Sequence, residues 1–279
     1  MATQRNRWFT RANNREGRRR AALWDMALNL ARAQFADRYP DLTFEPVVAI
    51  IAAYEEEANL GDVLKSMPDS YRDLGISTLV VVDGGDDATD RVALESGVYT
   101  CILPVNLGHG AALRLAYELA LAHGARFIVT LDADGQNDPA EMDALLAPLL
   151  DDEADFVIGS RRLGVDQTTD RFRRAGVRLY ASALNAITRQ RLTDTSNGYR
   201  AFRAEAVADI LPFLRQDQYQ TAEVVITAAS RGWRIGERPI IWHPRASGES
   251  KKGGNLFFGI QYARVILTSW LRVSFGRRR

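Results

Sequence analysis

Through residue 160, short β-branched runs alternate with helix-patterned segments, and no other feature constrains the fold as tightly. Val47-Val48-Ala49-Ile50-Ile51 reads as a buried strand. Leu79–Val82, Ile102-Leu103, Phe127–Leu131 and Phe156–Ile158 read as further strands. Helices are expected over about 59–67 and 110–122, with another after Pro139. Wholly apolar strands separated by helical crossovers must be covered on both faces. This specifies an α/β domain with a mainly parallel sheet. Ligands in such sheets sit beyond the carboxyl ends of the strands. Ahead of the sheet, residues 1–20 read as a flexible arm. Residues 21–38 read as a helix with Leu23, Met26, Leu30 and Phe35 as an imperfect apolar stripe, closed by Pro40.

The bulk composition narrows the classes further. A 279-residue chain with 46% hydrophobic residues can bury a sizeable core and is not a disordered chain. Cys101 is the single cysteine, which excludes an intramolecular disulfide and a thiolate metal cluster, and a reducing compartment is the easier reading. No apolar run approaches 18 residues, so no standard membrane-spanning helix is expected, and the N-terminus lacks the apolar stretch of a signal peptide. The net charge of +1 hides a split: residues 1–20 carry +6, residues 264–279 carry +5, and the remainder is acidic. An acidic centre without a recognisable nucleic-acid motif argues against a nonenzymatic nucleic-acid binder. The basic ends suit a membrane surface or phosphate recruitment.

Chemistry-bearing residues fall at strand ends. In Leu131-Asp132-Ala133-Asp134-Gly135-Gln136-Asn137-Asp138-Pro139, a strand delivers two alternating carboxylates to a glycine turn. Hard oxygen ligands suit Mg²⁺ or Mn²⁺, with a diphosphate supplying further positions. The plainer alternative is an Asp-rich turn, and Asp138 before Pro139 is a helix cap on either reading. Asp83 follows the second strand at Gly84-Gly85 and can accept from a nucleobase or ribose, or simply sit in a solvated turn. Asn106-Leu107-Gly108-His109-Gly110 opens the 110–122 helix, where backbone N–H groups attract anions. It is not a Walker A loop, and no GxGxxG follows the first strand. Asp194 to Arg200 (DTSNGYR) is a polar glycine turn, read as an acceptor-pocket lining or a surface loop. In His243 to Lys252 (HPRASGESKK), Arg245 and Lys251 can neutralise phosphate. Clustered carboxylates, glycine turns and a late basic loop together suit nucleotide-sugar chemistry, in which cations stabilise a leaving nucleoside diphosphate. No GxSxG elbow supports serine hydrolase chemistry.

These residues resemble the family 2, GT-A-fold glycosyltransferases, and within them the dolichyl- or polyprenyl-phosphate sugar synthases. The resemblance runs from about Val47 to Lys252 and is carried by DADGQNDP, Gly159-Ser160-Arg161, SNGYR, HPRASGESK and NLGHG. It implies three regions: a basic arm and helix over 1–45, a catalytic domain over 46–252, and an amphipathic basic helix over 253–279. Ala53, Tyr54 and Glu56 then belong to the nucleotide loop, and Gly110 to the glycine turn. Asp83 is placed on the nucleobase side of the donor. Asp132 approaches ribose or sugar, and Asp134 coordinates the divalent ion with Asp132 and Gln136 as further candidates. Arg161, Arg200, Arg245 and Lys251 are implied for the donor diphosphate and the acceptor phosphate. The implied reaction inverts the anomeric centre of a UDP- or GDP-sugar by direct attack, with Asp134, Asp194 and Arg200 as catalytic candidates. A phosphate acceptor is already ionised, whereas a hydroxyl acceptor needs a base, for which Asp194 is the candidate.

The sequence departs from the family pattern in places. Ala52-Ala53-Tyr54-Glu55-Glu56 replaces the usual Pro-Thr-Tyr-Asn-Glu, Gly84 follows Asp83 where a second aspartate is usual, and Asn137 stands where a histidine is common. No Gln-x-x-Arg-Trp motif supports polymerisation, so transfer of one sugar is expected. Segment 256–275 reads either as an amphipathic helix on an anionic membrane, with Trp270 at the interface, or as a helix packed on the core or a dimer partner. The expected partners are a nucleotide sugar and a polyprenyl phosphate. A soluble hydroxyl acceptor such as a nucleoside or natural product is the alternative. The expected location is cytoplasmic or peripheral on the inner membrane face, and a homo-oligomer is compatible with the chain.

Overall fold

The computed structural model describes residues 15–168, 171–245 and 255–276. In chain order the elements are α1 (Arg15–Arg38), β1 (Val47–Ala53), α2 (Leu60–Lys65), β2 (Ser70–Tyr71), β3 (Leu74–Val82), α3 (Thr89–Glu95), β4 (Tyr99–Ile102), α4 (His109–Ala122), β5 (Phe127–Asp132), α5 (Met142–Leu150), β6 (Phe156–Asp166), α6 (Arg171–Thr188), β7 (Arg200–Arg203), α7 (Ala204–Ile210), α8 (Gln220–Arg231), β8 (Ile235–Trp242) and α9 (Asn255–Gly276). They form one sheet in the order β2-β3-β1-β5-β7-β6-β8, with β4 also on β3.

Strands β3, β1 and β5 are adjacent and parallel, so their carboxyl ends open side by side. β1 is buried along its whole length, with Val48, Ile50 and Ala52 in one core layer and Val47, Ala49, Ile51 and Ala53 in the other. Full burial of each Val or Ile contributes about 1.5–3 kcal/mol, which explains why these runs lack polar alternation. β6 and β8 are parallel to each other, while β7 runs antiparallel to both β5 and β6. The reversal follows from the loop before β7. That loop crosses the carboxyl end of β5, where Thr130 Oγ1 donates to the Gly198 carbonyl at 2.7 Å. The chain therefore enters the sheet from that end and runs back.

Three sequence expectations shift. The first helix begins at Arg15, inside the segment read as a flexible arm; residues 1–14 lie outside the described residues. Its buried face is Ala27, Ala31 and Phe35, whereas Leu23, Met26 and Leu30 are exposed. The small alanines let the helix lie close to β4, with Cys101 Sγ against the Ala31 carbonyl. The strand expected at Ile102-Leu103 lies earlier, at Tyr99–Ile102. Helix α9 packs on α8 and α6, burying Tyr262, Val265, Ile266 and Ser269. Among the described residues no helix is long and apolar enough to cross a membrane.

Glycine at 110 is dictated by this packing. Its N–H donates to the Asp217 carbonyl at 2.8 Å, and a Cβ there would fall on the backbone of Gln216 and Asp217. Gly110→Ala should therefore lose about 1–3 kcal/mol of stability, readable as a lower denaturant midpoint. An unchanged midpoint would show that the 216–217 turn moves without cost.

Candidate active site

The carboxyl ends of β1, β3 and β5 form the floor of a cavity of about 610 Å³. Ala53, Tyr54 and Glu56 enter it from the end of β1, Asp83 from β3, and Asp132 and Asp134 from β5. The opposite side is built from a turn running from Arg215 into α8, and from Gln261, Tyr262, Arg264 and Val265 on α9.

At the acidic end, the Arg245 guanidinium bridges two carboxylates. One nitrogen lies 3.0 Å from Glu56 Oε1 and the other 3.0 Å from Asp134 Oδ2. Arg245 is placed there by the end of β8. His243 N–H donates to the Gln136 carbonyl at 2.9 Å, and Gln136 Nε2 donates to the His243 carbonyl at 3.1 Å. Gln136 is thus a buried tie between the two loops, and its side-chain nitrogen is engaged away from any cation. Glu56, Asp132 and Asp134 offer hard oxygen donors, and a cationic group already rests against two of them. This donor set fits Mg²⁺ or Mn²⁺, which bind through one or two carboxylates plus substrate phosphates. Among the described residues, no group of three or more His, Cys, Asp or Glu forms a metal cluster.

Asp83 is only 2% exposed. Its Oδ1 accepts from Leu107 N–H at 2.7 Å, and its Oδ2 from Gly108 N–H at 2.9 Å and Asn106 Nδ2 at 3.1 Å. It therefore anchors the NLGHG loop as well as facing the cavity. Burial pushes its carboxyl up to about 6, against the lowering effect of the Leu107 and Gly108 N–H groups. The sign is that protonation is favoured in the folded protein. As pH falls through about 6, the carboxylate that holds the loop is lost, so donor kcat/KM should drop on this limb. A pH profile of kcat/KM with saturating acceptor checks this, and a flat profile between pH 5 and 7 would contradict it.

Three arginine and aspartate candidates lie beneath the cavity rather than in it. Arg161 and Asp194 form a buried bidentate pair, with Nη2 to Oδ1 at 2.8 Å, and Arg161 lies over the Trp242 ring. Burial opposes ionisation of Asp194, yet the Arg161 charge and the surrounding hydrogen bonds hold its carboxyl below the usual range. A carboxylate so engaged is a poor base, contrary to the helper-base expectation. Arg200 is buried and donates to the carbonyls of Asn197, Thr195 and Thr221, so it braces the SNGYR loop instead of offering its charge to the large cavity. It does reach a small side cavity that Asp132 and His109 also line. Gly198 is required because a Cβ would meet Asp132 Oδ1 at 2.9 Å. Lys251 lies outside the described residues.

The turn at 215–219 and the α9 wall went unseen in the sequence. Their residues match no motif and reach the cavity through the packing of α9 on α8 and the ties of the turn to Arg114 of α4.

A central sheet with carboxylates at adjacent parallel strand ends, and a mixed second half that completes the pocket, defines the GT-A class of transferase. The chain belongs to glycosyl transferase family 2, whose model matches residues 48–211. It is 32% identical over 236 residues to a dolichyl-phosphate hexose transferase of Haloferax volcanii, covering 84% of this chain and 99% of that protein. It is also 32% identical over 238 residues to an undecaprenyl-phosphate mannosyltransferase of Micrococcus luteus, covering 80% and 93%. The fold matches glucosyl-3-phosphoglycerate synthase from Mycobacterium tuberculosis, solved with Mg²⁺ and uridine diphosphate. That match has a TM-score of 0.65 and 19% identity, over 87% of this chain and 82% of that one.

Proposed function

We propose that this glycosyltransferase moves a single sugar from a UDP- or GDP-sugar to a polyprenyl phosphate, with inversion at the anomeric carbon. The observation that carries the reading is the acidic floor of the cavity: Glu56 and Asp134 bridged by Arg245, with Asp132 in the same lining, at the ends of β1 and β5. Two relatives of near full-length coverage bear names for lipid-phosphate transferases.

The donor lies over the strand ends, with Asp83 and Tyr54 toward the base and Asp132 toward the ribose or sugar. Asp134 and Asp132 hold the divalent ion, which when bound offsets charge on the leaving nucleoside diphosphate. Arg245 moves from its carboxylates to the diphosphate as that charge arrives. A phosphate oxygen of the acceptor attacks the anomeric carbon as the bond to the diphosphate breaks. That oxygen is already anionic, so the engaged state of Asp194 is no obstacle. On the outside, Leu267, Trp270 and Leu271 of α9 are exposed, as is Leu179 of α6, the helix on which α9 packs. With basic side chains on the same helices, this face suits peripheral contact with an anionic membrane.

The test is a matrix of nucleotide sugars and acceptors with Mg²⁺ or Mn²⁺, scored for nucleoside diphosphate release and glycosylated product. Turnover with polyprenyl phosphate is expected. Turnover confined to soluble hydroxyl acceptors would reject this acceptor.

A further inference from the structure

The cavity carries a second pair of cationic side chains, on the turn before α8 and on α9. We propose that Arg215 and Arg264 form an anion subsite there, which takes the phosphate group of the acceptor. This rests on the transferase reading above and names the part of the site that distinguishes a phosphate acceptor from an alcohol.

The Arg215 backbone is fixed from three sides. Glu223 Oε2 accepts from the N–H groups of Arg215 at 2.9 Å and Gln216 at 2.8 Å. Arg114 of α4 donates to the Gln216 carbonyl at 2.7 Å and to Asp217 Oδ1 at 2.7 Å. Gln216 Nε2 reaches Thr268 Oγ1 on α9, one turn beyond Arg264. These ties place Arg215 beside the part of α9 that carries Arg264, and both arginines line the cavity.

The acids beside Arg215 are engaged elsewhere. Glu223 is 1% exposed, and its Oε1 is paired with Arg272 at 2.6 Å. Asp217 is paired with Arg114. Among the described residues, the Arg215 guanidinium has no ion pair. Arg245, by contrast, is committed to Glu56 and Asp134.

A second set of cations answers a physical need. An inverting transfer puts two anions in one cavity, the leaving diphosphate and the attacking phosphate, on opposite sides of the sugar. The first is met by the metal and Arg245. The second needs its own cations, or mutual repulsion would expel it. Tyr262 and Val265 of α9 line the same cavity and offer apolar surface for the first carbons of a prenyl chain.

The probe is farnesyl phosphate, with farnesol as the uncharged control. Binding is measured by calorimetry on the full chain, saturated with Mn²⁺ and whichever nucleoside diphosphate it binds. Wild type should bind farnesyl phosphate at least tenfold tighter than farnesol. In the Arg215→Ala/Arg264→Ala double variant this preference should fall to about threefold or less, with nucleotide affinity unchanged. An Arg91→Ala variant, on exposed α3, should keep the full preference. Arg215→Lys/Arg264→Lys retains the charge and should keep part of it, which covers the case in which the alanine variant does not fold. The subsite is overturned if wild type shows no preference, if either double variant keeps it whole, or if nucleotide affinity falls in step. A retained, arginine-dependent preference without sugar transfer would reject the reaction and leave the subsite standing.

Discussion

Asp134→Asn should reduce metal-dependent turnover by about 10²–10³-fold, the usual cost of losing one electrostatic group that acts on the transition state. The asparagine is nearly isosteric, so the fold should survive. Two effects are expected together. A neutral amide binds a hard divalent cation weakly, so the Mn²⁺ or Mg²⁺ saturation curve should move to higher concentration. Arg245 also loses one of its two carboxylate partners, now 3.0 Å away. Turnover titrated with each metal, beside nucleotide binding, separates these effects. Full activity across the metal range would remove Asp134 from the site.

Asp194→Asn should instead be a stability variant. Removing one partner of a buried ion pair leaves the other charged and unpaired, at a cost of about 3–5 kcal/mol. Here the survivor is Arg161, whose side chain is 6% exposed and whose partner is fully buried. Against a typical total of roughly 5–15 kcal/mol, much of the folded population at physiological temperature is at risk. Equilibrium denaturation measures this directly. A variant of wild-type stability that lost turnover only with hydroxyl acceptors would restore Asp194 as a base.

The two aspartates show how far local sequence reading reaches. Asp132 and Asp134 stand at the end of an apolar strand, and in a parallel sheet that position is itself an address: the carboxyl edge. Asp83 has the same address on β3, which is why the three meet at one cavity floor. Asp194 and Arg161 are 33 residues apart and lie in equally polar motifs, so nothing local marks them as partners. Gln136 likewise follows the carboxylates, and nothing local marks the tie from its Nε2 to the His243 carbonyl across the loop. The α1 stripe fails for a related reason. Hydrophobicity favours Leu23, Met26 and Leu30, but close approach to β4 favours the smaller Ala27 and Ala31.

The sequence alone therefore determined the α/β class, the family and the carboxylates that meet at the strand ends, because strand periodicity and strand-end position are properties of neighbouring residues. Tertiary structure decided which charges are available to substrate. Arg161 and Arg200 are consumed by buried partners, while Arg215 and Arg264 reach the cavity from elements that carry no motif. Availability depends on what each side chain meets across the fold, and those meetings are set by tertiary packing, such as that of α9 on α8 and α6, rather than by spacing along the chain.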